Sequence, residues 1–201
     1  MNKPDNWQAI LKEKQFNDLL IEWNKKINLV SRKKPDVFDL IEDSKLFFEA
    51  INFTPGNKIL DLGTGGGFPG IVIALHHPEA ELTLIDSIQK KINVVSDIVK
   101  QMELQNVNVI CARAEEISQS PEHKSIYDYV VARSVTVLQD LAKWSKELLK
   151  PSGKLVAVKG GDIKGELSKT KRLSFVKNVR RIEKNERTII IVELANYRKT
   201  G

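Results

Sequence analysis

Apolar residues in the first fifty positions recur every three or four residues, the spacing of helices that bury one face. One stripe lies within residues 4–30 and a second within residues 37–51, and Lys33-Lys34-Pro35 separates them. Because proline is tolerated in the first turn of a helix, Pro35 suits the start of the second one. We therefore predict that residues 1–56 form a helical extension packed on the rest of the chain. The first stripe consists of Trp7, Ile10, Leu11, Phe16, Leu19, Leu20, Trp23 and Ile27.

From residue 58 the pattern changes to short apolar runs separated by amphipathic stretches of helical period. Such alternation is typical of a parallel sheet covered on both faces. Two last strand-like runs, 175–182 and 188–194, flank a polar turn and predict a hairpin. We predict that residues 57–201 form a Rossmann-like α/β domain with a mostly parallel seven-stranded sheet that ends in this antiparallel hairpin. The domain and the helical extension are expected to form a single structural unit. The strand order stays open. The earlier predicted strands are 59–62, 82–86, 107–111, 127–132 and 154–159, and the helices are 68–77, 88–104 and 137–149.

A glycine-rich segment, Asp61–Gly70, follows the first predicted strand, where folds of this class bind ligands. Gly63 and Gly65 allow unusual backbone angles and a close approach of ligand to backbone. Asp86 ends the second strand, where a carboxylate can accept hydrogen bonds from ribose hydroxyls; alternatively it caps the next helix. The glycine spacing with Asp86 also matches the dinucleotide fingerprint. The motif alone therefore leaves both an S-adenosylmethionine (SAM) enzyme and an NAD(P)-dependent oxidoreductase open.

Three observations favour the methyl donor and a class I methyltransferase fold. A chain of 201 residues is short for a dehydrogenase, it has no Tyr-x-x-x-Lys pair, and it ends in the predicted hairpin. After the third strand, Ala114 and Glu115 lie where methyltransferases of this fold contact adenine. The alternative for these two residues is a polar first turn of a helix, where acidic side chains favour the N-terminus.

Positive charge is concentrated at the end of the chain. The formal net charge is +6, and residues 150–201 carry fourteen Lys and Arg against five Asp and Glu. Clustered Lys and Arg favour a polyanionic partner such as nucleic acid, although a solubilising surface is the alternative. An RNA track is expected along Lys169, Lys171, Arg172, Lys177, Arg180 and Arg181, together with Arg32-Lys33-Lys34.

Several features argue against a membrane, metal or disulfide protein. No apolar run approaches the roughly 18 residues of a membrane span, and the N-terminus lacks a signal-peptide core, so we expect a cytoplasmic protein. The lone Cys111 is expected in the core. His76, His77 and His123 lack metal-site spacing. We expect a monomer, because no long apolar stripe is left unassigned.

Six ordered motifs run from about Trp23 onward. They are Trp23-Asn24 with Ile27-Asn28-Leu29, Asp61–Gly65 with Gly67–Ile71, Asp86-Ser87 with Lys90-Lys91, Arg113–Glu116, Ala132-Arg133-Ser134, and Lys159-Gly160. With these motifs the chain resembles the bacterial 16S ribosomal RNA guanine-N7 methyltransferases, the glucose-inhibited division protein B family. One departure is that the family usually has a histidine just before the Asp-Ser pair of the second helix, whereas Leu40-Ile41-Glu42 precedes Asp43-Ser44 here. A role for that histidine is therefore not carried over.

The resemblance implies methylation of N7 of a guanine in 16S ribosomal RNA, in the helix-18 loop of the small subunit, with SAM as cofactor. It implies that the donor lies near Gly63, Phe68, Ala114-Glu115 and Arg133. Asn28, Lys90, Arg113 and Lys159 would surround the pocket or the RNA path. Arg133 and Lys159 are the catalytic candidates, with surface salt bridges as their alternative. A non-catalytic RNA-binding α/β domain is a further open alternative for the whole chain.

Overall fold

The computed structural model describes residues 6–31, 35–184 and 186–195. Within these ranges no helix is both long and apolar enough for a bilayer crossing. The helices are α1 (Asn6–Lys26), α2 (Phe38–Lys45), α3 (Gly70–His76), α4 (Gln89–Gln101), α5 (Ala114–Gln119), α6 (Leu138–Leu148) and α7 (Lys164–Lys171), with 3₁₀ turns at Leu46–Glu49 and Pro121–His123. The strands are β1 (Lys58–Leu62), β2 (Glu81–Asp86), β3 (Val107–Cys111), β4 (Tyr127–Arg133), β5 (Leu149–Gly160), β6 (Val176–Lys184) and β7 (Arg187–Leu194).

The strands form one seven-stranded sheet in the order β3-β2-β1-β4-β5-β7-β6. The first five strands are parallel, and β7 runs antiparallel to both β5 and β6. The predicted mostly parallel sheet with a C-terminal hairpin is therefore confirmed. Dinucleotide-binding domains have instead six strands in the order 3-2-1-4-5-6. β2 and β3 are added to the sheet on one side of β1, and β4 and β5 on the other, so the strand order switches between β1 and β4. Open α/β sheets form a ligand crevice at such a switch point, at the carboxyl ends of the strands.

Each face of the sheet supports its own core layer. Consecutive strand residues point to opposite faces, so Ile59 packs in one layer and Leu60 in the other. The helical extension contributes to the first layer, because Phe16 of α1 and Ile41 of α2 are fully buried there beside Ile71 of α3. The boundary between residues 56 and 57 stays a prediction.

The apolar stripe of α1 is only partly buried. Phe16 and Leu20 have no exposed surface, whereas Trp7, Ile10 and Leu11 are 56%, 52% and 57% exposed. The apolar face of the first turns of α1 is therefore left largely uncovered by the described residues. The premise of the expected monomer, that no apolar stripe is left over, is wrong, and the oligomeric state stays a prediction.

Tertiary contacts also changed three local expectations. α2 begins at Phe38 and not at Pro35, and the Asn17 side-chain oxygen accepts the amide of Val37, the residue before the helix, at 3.0 Å. Cys111 is exposed and not in the core, because it ends the edge strand β3. The short helix α7, with only Leu167 and Thr170 buried, has too few apolar positions to be predicted from periodicity.

Candidate functional site

A cavity of about 520 Å³ opens at the carboxyl ends of the parallel strands. Most of the predicted site residues meet there, although they come from four different strand ends. Asn28, Lys90 and Lys159 do not line it. Its lining comprises Leu29, Val30, Leu62–Gly66, Phe68, Ile85–Ile88, Lys91, Ala112–Glu115, Arg133–Thr136 and Trp144.

The glycine turn, Gly63–Gly67, forms the floor of this pocket. The amides of Gly63 and Thr64 donate to the Ile85 carbonyl at 2.9 and 2.8 Å, which holds the turn against β2. Gly63 has a φ of +81°, and a Cβ there would lie 2.7 Å from a methyl of Val135. A side chain at this position is therefore excluded both by the backbone angle and by the packed neighbour.

Asp86 links the glycine turn to the start of α4. Its two oxygens accept the amides of Gly65 at 3.1 Å and Ile88 at 2.9 Å, and Lys91 Nζ lies 3.6 Å away. α4 begins at Gln89 with no side-chain cap, so the interpretation of Asp86 as a helix cap is wrong. Because a carboxylate has about four lone-pair directions, Asp86 keeps acceptor capacity toward the pocket it lines.

Buried polar atoms without a hydrogen-bond partner cluster around the glycine turn. They include Arg133 Nε, together with Asp61 Oδ1 and Thr64 Oγ1, whose side chains lie close enough for the Thr64 hydroxyl to act on Asp61. The other Asp61 oxygen accepts the Gly70 amide at 2.9 Å. Burial raises the pKa of Asp61 to about 7, against the opposing effects of the Thr64 hydroxyl, the Gly70 amide and the Arg133 charge. Since buried polar groups in folded proteins are normally paired, the Arg133 guanidinium, which lines the pocket and has a buried Nε without a partner, is suited to a polar ligand.

Arg133, at the end of β4, lies across the ring of Phe68, with its guanidinium carbon 5.2 Å from the ring centre. Burial lowers the pKa of Arg133, while the carboxylates of Asp43 and Asp61 raise it. Among the described residues no carboxylate lies within salt-bridge distance of Arg133. The alternative of a surface salt bridge is therefore wrong, and the guanidinium remains available to the pocket.

The four residues expected near the RNA path have different environments. Arg113 is exposed and lines the pocket, and its amide donates to Glu116 at 3.2 Å. Asn28 and Lys90 are exposed beside lining residues. Lys159 is partly buried behind the pocket wall, where its ammonium donates to the carbonyl of the lining residue Thr136 at 2.6 Å and lies 2.7 Å from Glu166. The salt-bridge alternative thus describes Lys159, although this pair is partly buried.

Asn24 is a site residue that the sequence patterns did not assign. Its side-chain oxygen accepts the amides of Leu29 and Val30 at 2.8 and 3.1 Å, and its amide nitrogen donates to the Val30 carbonyl at 3.1 Å. Leu29 and Val30 line the pocket. Trp23, the neighbour of Asn24, donates from its indole nitrogen to Asp97 of α4 at 2.9 Å. The Trp23-Asn24 motif thus shapes one wall of the pocket.

The basic track expected in the last quarter of the chain is spread over the sheet. Val176, the first residue of β6, pairs with Leu194, and the adjacent Glu193 pairs with Lys154, which lies toward the amino end of β5. β6 therefore begins at the amino ends of the parallel strands, opposite the pocket. Arg172 and Lys177 lie beside that start, and α7 ends there. Within β6 only the last residue, Lys184, lies level with the carboxyl ends of the parallel strands, where the pocket opens. Arg32-Lys33-Lys34 lies outside the described residues.

A larger cavity, of about 960 Å³, lies elsewhere, beside Phe48, Phe53 and the two adjacent histidines. None of its lining residues is among the buried unpartnered groups. The Asn106 amide nitrogen, for instance, lies within 3.4 Å of three carbonyls. His76 Nε2 lies 2.6 Å from Glu13. Chemistry rather than size therefore selects the pocket at the glycine turn. In the described part of the chain no three His, Cys, Asp or Glu side chains group as metal ligands.

Comparisons with known proteins identify the family of the chain. The GidB family model, described as rRNA small subunit methyltransferase G, matches residues 10–190. A ribosomal RNA small subunit methyltransferase G of Bacteroides thetaiotaomicron is 42% identical over 74% of this chain and 73% of the relative. Another, of Christiangramia forsetii, is 37% identical over 94% of this chain and 82% of the relative.

Solved structures bear on the fold. A SAM-dependent methyltransferase from Aquifex aeolicus has a TM-score of 0.61 and 18% identity, covering 86% of this chain and 96% of that chain. A ribosomal protein L11 methylase from Lactobacillus delbrueckii has a TM-score of 0.61 and 12% identity, covering 78% and 79%. The class I methyltransferase fold is confirmed. The extent of the family match decides the class of reaction: the chain belongs to the rRNA small subunit methyltransferase G family, and the oxidoreductase alternative is wrong.

Proposed function

We propose that the chain transfers a methyl group from SAM to N7 of a guanine in 16S ribosomal RNA, in the helix-18 loop that the family resemblance implies. The observation that carries the proposal is the pocket at the carboxyl ends of the parallel strands, where the glycine turn, the Asp86 carboxylate and the Arg133 guanidinium meet, with Arg133 Nε buried and without a partner. A donor with an adenosyl group, a carboxylate and an ammonium matches this mixture of acceptors and donors.

The residues of the pocket fit the parts of such a donor. Asp86 would accept the ribose hydroxyls, and Ala114 with Glu115 would border the adenine. Gly63 and Gly65 leave the backbone open to close approach. The Arg133 guanidinium, held over Phe68, would be the cationic group for the donor carboxylate. When bound, SAM supplies an electrophilic methyl group on a sulfonium sulfur.

Positioning accounts for the reaction better than proton transfer does. Guanine N7 carries an in-plane lone pair and no proton, so its attack on the methyl carbon requires no general base. The forming N–C bond and the breaking S–C bond must lie in line, and holding that geometry supplies a large share of the rate enhancement. The product guanine is cationic, and the Asp86 carboxylate, which lines the pocket, favours positive charge there.

Cationic side chains around the pocket mouth support an RNA substrate. Lys90 at the start of α4, Arg113 before α5 and Lys164 at the start of α7 are exposed, and each follows the carboxyl end of a parallel strand. Such groups gain affinity by displacing counterions from phosphates. A guanine in a single-stranded loop can be splayed out of its stack into a pocket between them. We propose a 16S rRNA or small-subunit partner on this surface, and a cytoplasmic location with it.

The experiment is methyl transfer from radiolabelled SAM to 16S rRNA and to assembled small subunits, followed by mapping of the modified base. A loop fragment with 7-deazaguanine at the mapped position lacks N7 and should accept no methyl group, whereas the guanine fragment should. Calorimetric titration should give micromolar binding of S-adenosylhomocysteine and none of NADH. RNA binding without any donor binding would favour the non-catalytic alternative, and label on the deaza fragment would contradict N7 as the acceptor.

A further inference from the structure

The N-terminus of α6 is capped by a side chain from another element. The first amides of a helix have no partner within it, and Val137, the residue before α6, has no side-chain acceptor. Glu166 of α7 takes this role, because its Oε2 accepts the amide of Leu138 at 2.8 Å. A residue 28 positions away in sequence thus fixes the start of α6.

The same carboxylate oxygen lies 2.7 Å from the ammonium of Lys159, at the end of β5. That ammonium also donates to the carbonyl of Thr136 at 2.6 Å. The two side chains are only 11% and 28% exposed, so solvent competes weakly for these contacts. Lys159 thus holds the carbonyl of Thr136, and Glu166 holds the amide of Leu138, the residues on either side of Val137.

The segment held in this way, the 134–137 loop, forms a wall of the pocket. Ser134 has a φ of +53°, an unusual angle for a residue with a side chain. Ser134, Val135 and Thr136 all line the cavity, and the Val135 methyls fill the space where a Cβ on Gly63 would be. The loop directly follows Arg133. Its position therefore sets the distance between the glycine turn and the side of the pocket that faces an acceptor.

We propose that Lys159 and Glu166 form a clamp that positions the 134–137 loop against the glycine turn, so that Lys159 is a positioning residue and does not contact the RNA. This inference rests on the proposed methyl transfer. For Lys159 to reach a phosphate or a base, its ammonium would have to leave both Thr136 and Glu166, and the Glu166 carboxylate would lose its charge partner.

Turnover of three variants tests the clamp. Lys159→Met and Glu166→Ala should each lower kcat for 16S rRNA methylation by about 10- to 100-fold, the loss expected from a misplacement on the order of 1 Å. KM for RNA should stay within about twofold, since no RNA contact is removed. Glu166→Gln keeps an oxygen for the Leu138 amide and should recover much of the activity lost in Glu166→Ala. An increased KM for RNA in Lys159→Met, with kcat unchanged in Glu166→Ala, would overturn the proposal.

Asp128 provides a matched control at the start of β4, at the end of the parallel strands opposite the pocket. Its carboxylate likewise joins a backbone amide, that of Lys58 at 2.8 Å, to an ammonium, that of Lys150 at 2.8 Å. Asp128→Ala should lower the melting temperature as Glu166→Ala does, with kcat within about twofold of the wild type. Equal losses of kcat in the two variants would mean that general destabilisation, and not the clamp, reduces turnover.

Amide hydrogen exchange separates failure of the clamp from failure of the proposed function, because it requires no turnover. Exchange at residues 134–138 should accelerate in Glu166→Ala and stay unchanged in Asp128→Ala. Unchanged exchange in Glu166→Ala would refute the clamp even in an active enzyme. Faster exchange in Glu166→Ala than in the wild type, together with no methyl transfer by the wild type, would support the clamp and refute the proposed function alone.

Discussion

Gly63→Ala adds one methyl group where the glycine turn meets the 134–137 loop. The new Cβ would lie 2.7 and 2.8 Å from the two methyls of Val135, well inside contact distance. The backbone at φ +81° costs an alanine about 1–2 kcal/mol, and overpacking of a well-filled contact costs about 1–3 kcal/mol. The free energy of unfolding should therefore fall by about 2–5 kcal/mol.

Two further variants separate the backbone cost from the contact cost. Gly65→Ala has a φ of +59° and no atom within 4 Å of the new Cβ, so only about 1–2 kcal/mol is expected. Val135→Ala removes both methyls and leaves its own Cβ 3.4 Å from the methyl at position 63, an ordinary contact. In that background Gly63→Ala should cost no more than Gly65→Ala does.

Urea unfolding of the four single and double variants measures these free energies, and the coupling between positions 63 and 135 should be about 1–3 kcal/mol. Calorimetric binding of S-adenosylhomocysteine to the same variants reports whether the turn still accepts the donor. Equal costs for Gly63→Ala and Gly65→Ala, with no relief by Val135→Ala, would refute the packing of the loop on the turn.

Three further changes test other parts of the site and fold. Burial raises the pKa of Asp61 from an ordinary 3.8 to about 7 in the folded chain. Between these values the folded state binds a proton that the unfolded state has lost, so the free energy of unfolding should fall as pH rises from about 4 to about 7, by on the order of 4 kcal/mol in total. In Asp61→Asn this slope should vanish in urea unfolding across that range; a retained slope would assign it to another group. Asn24→Ala removes the hydrogen bonds to Leu29 and Val30 and should lower the free energy of unfolding by about 1–3 kcal/mol, with weaker S-adenosylhomocysteine binding by calorimetry; unchanged binding would contradict a role for that loop. Trp7→Ser alters a side chain that is 56% exposed and should change stability by less than about 0.5 kcal/mol; a larger loss, or a change of mass in sedimentation, would mean that Trp7 is covered by a partner.

Features that depend on neighbours in sequence were predictable. Apolar alternation located the strands and most helices to within a few residues, because it is set by which face of each element is buried. Gly63 and Asp86 were likewise assigned to the pocket, since a glycine turn and an acidic residue at adjacent strand ends follow from chain order in a parallel sheet. The family resemblance added Phe68 and Arg133, which also line it.

Features that depend on which elements become neighbours were decided only by the tertiary structure. Periodicity shows that a helix has an apolar face, but it does not show how much of that face another element covers. It therefore assigned Trp7 of α1 to the core, although this side chain is 56% exposed. Nor does periodicity give the strand order, so the sequence did not show that β3 is an edge strand and that Cys111 at its end is exposed. Charge alone does not pair Lys159 with Glu166 or keep Arg133 free of a salt bridge, because those pairings depend on side-chain directions across β4, β5 and α7. Local sequence determined the elements and the pocket's glycine turn, whereas three-dimensional packing determined which charges remain available for a ligand.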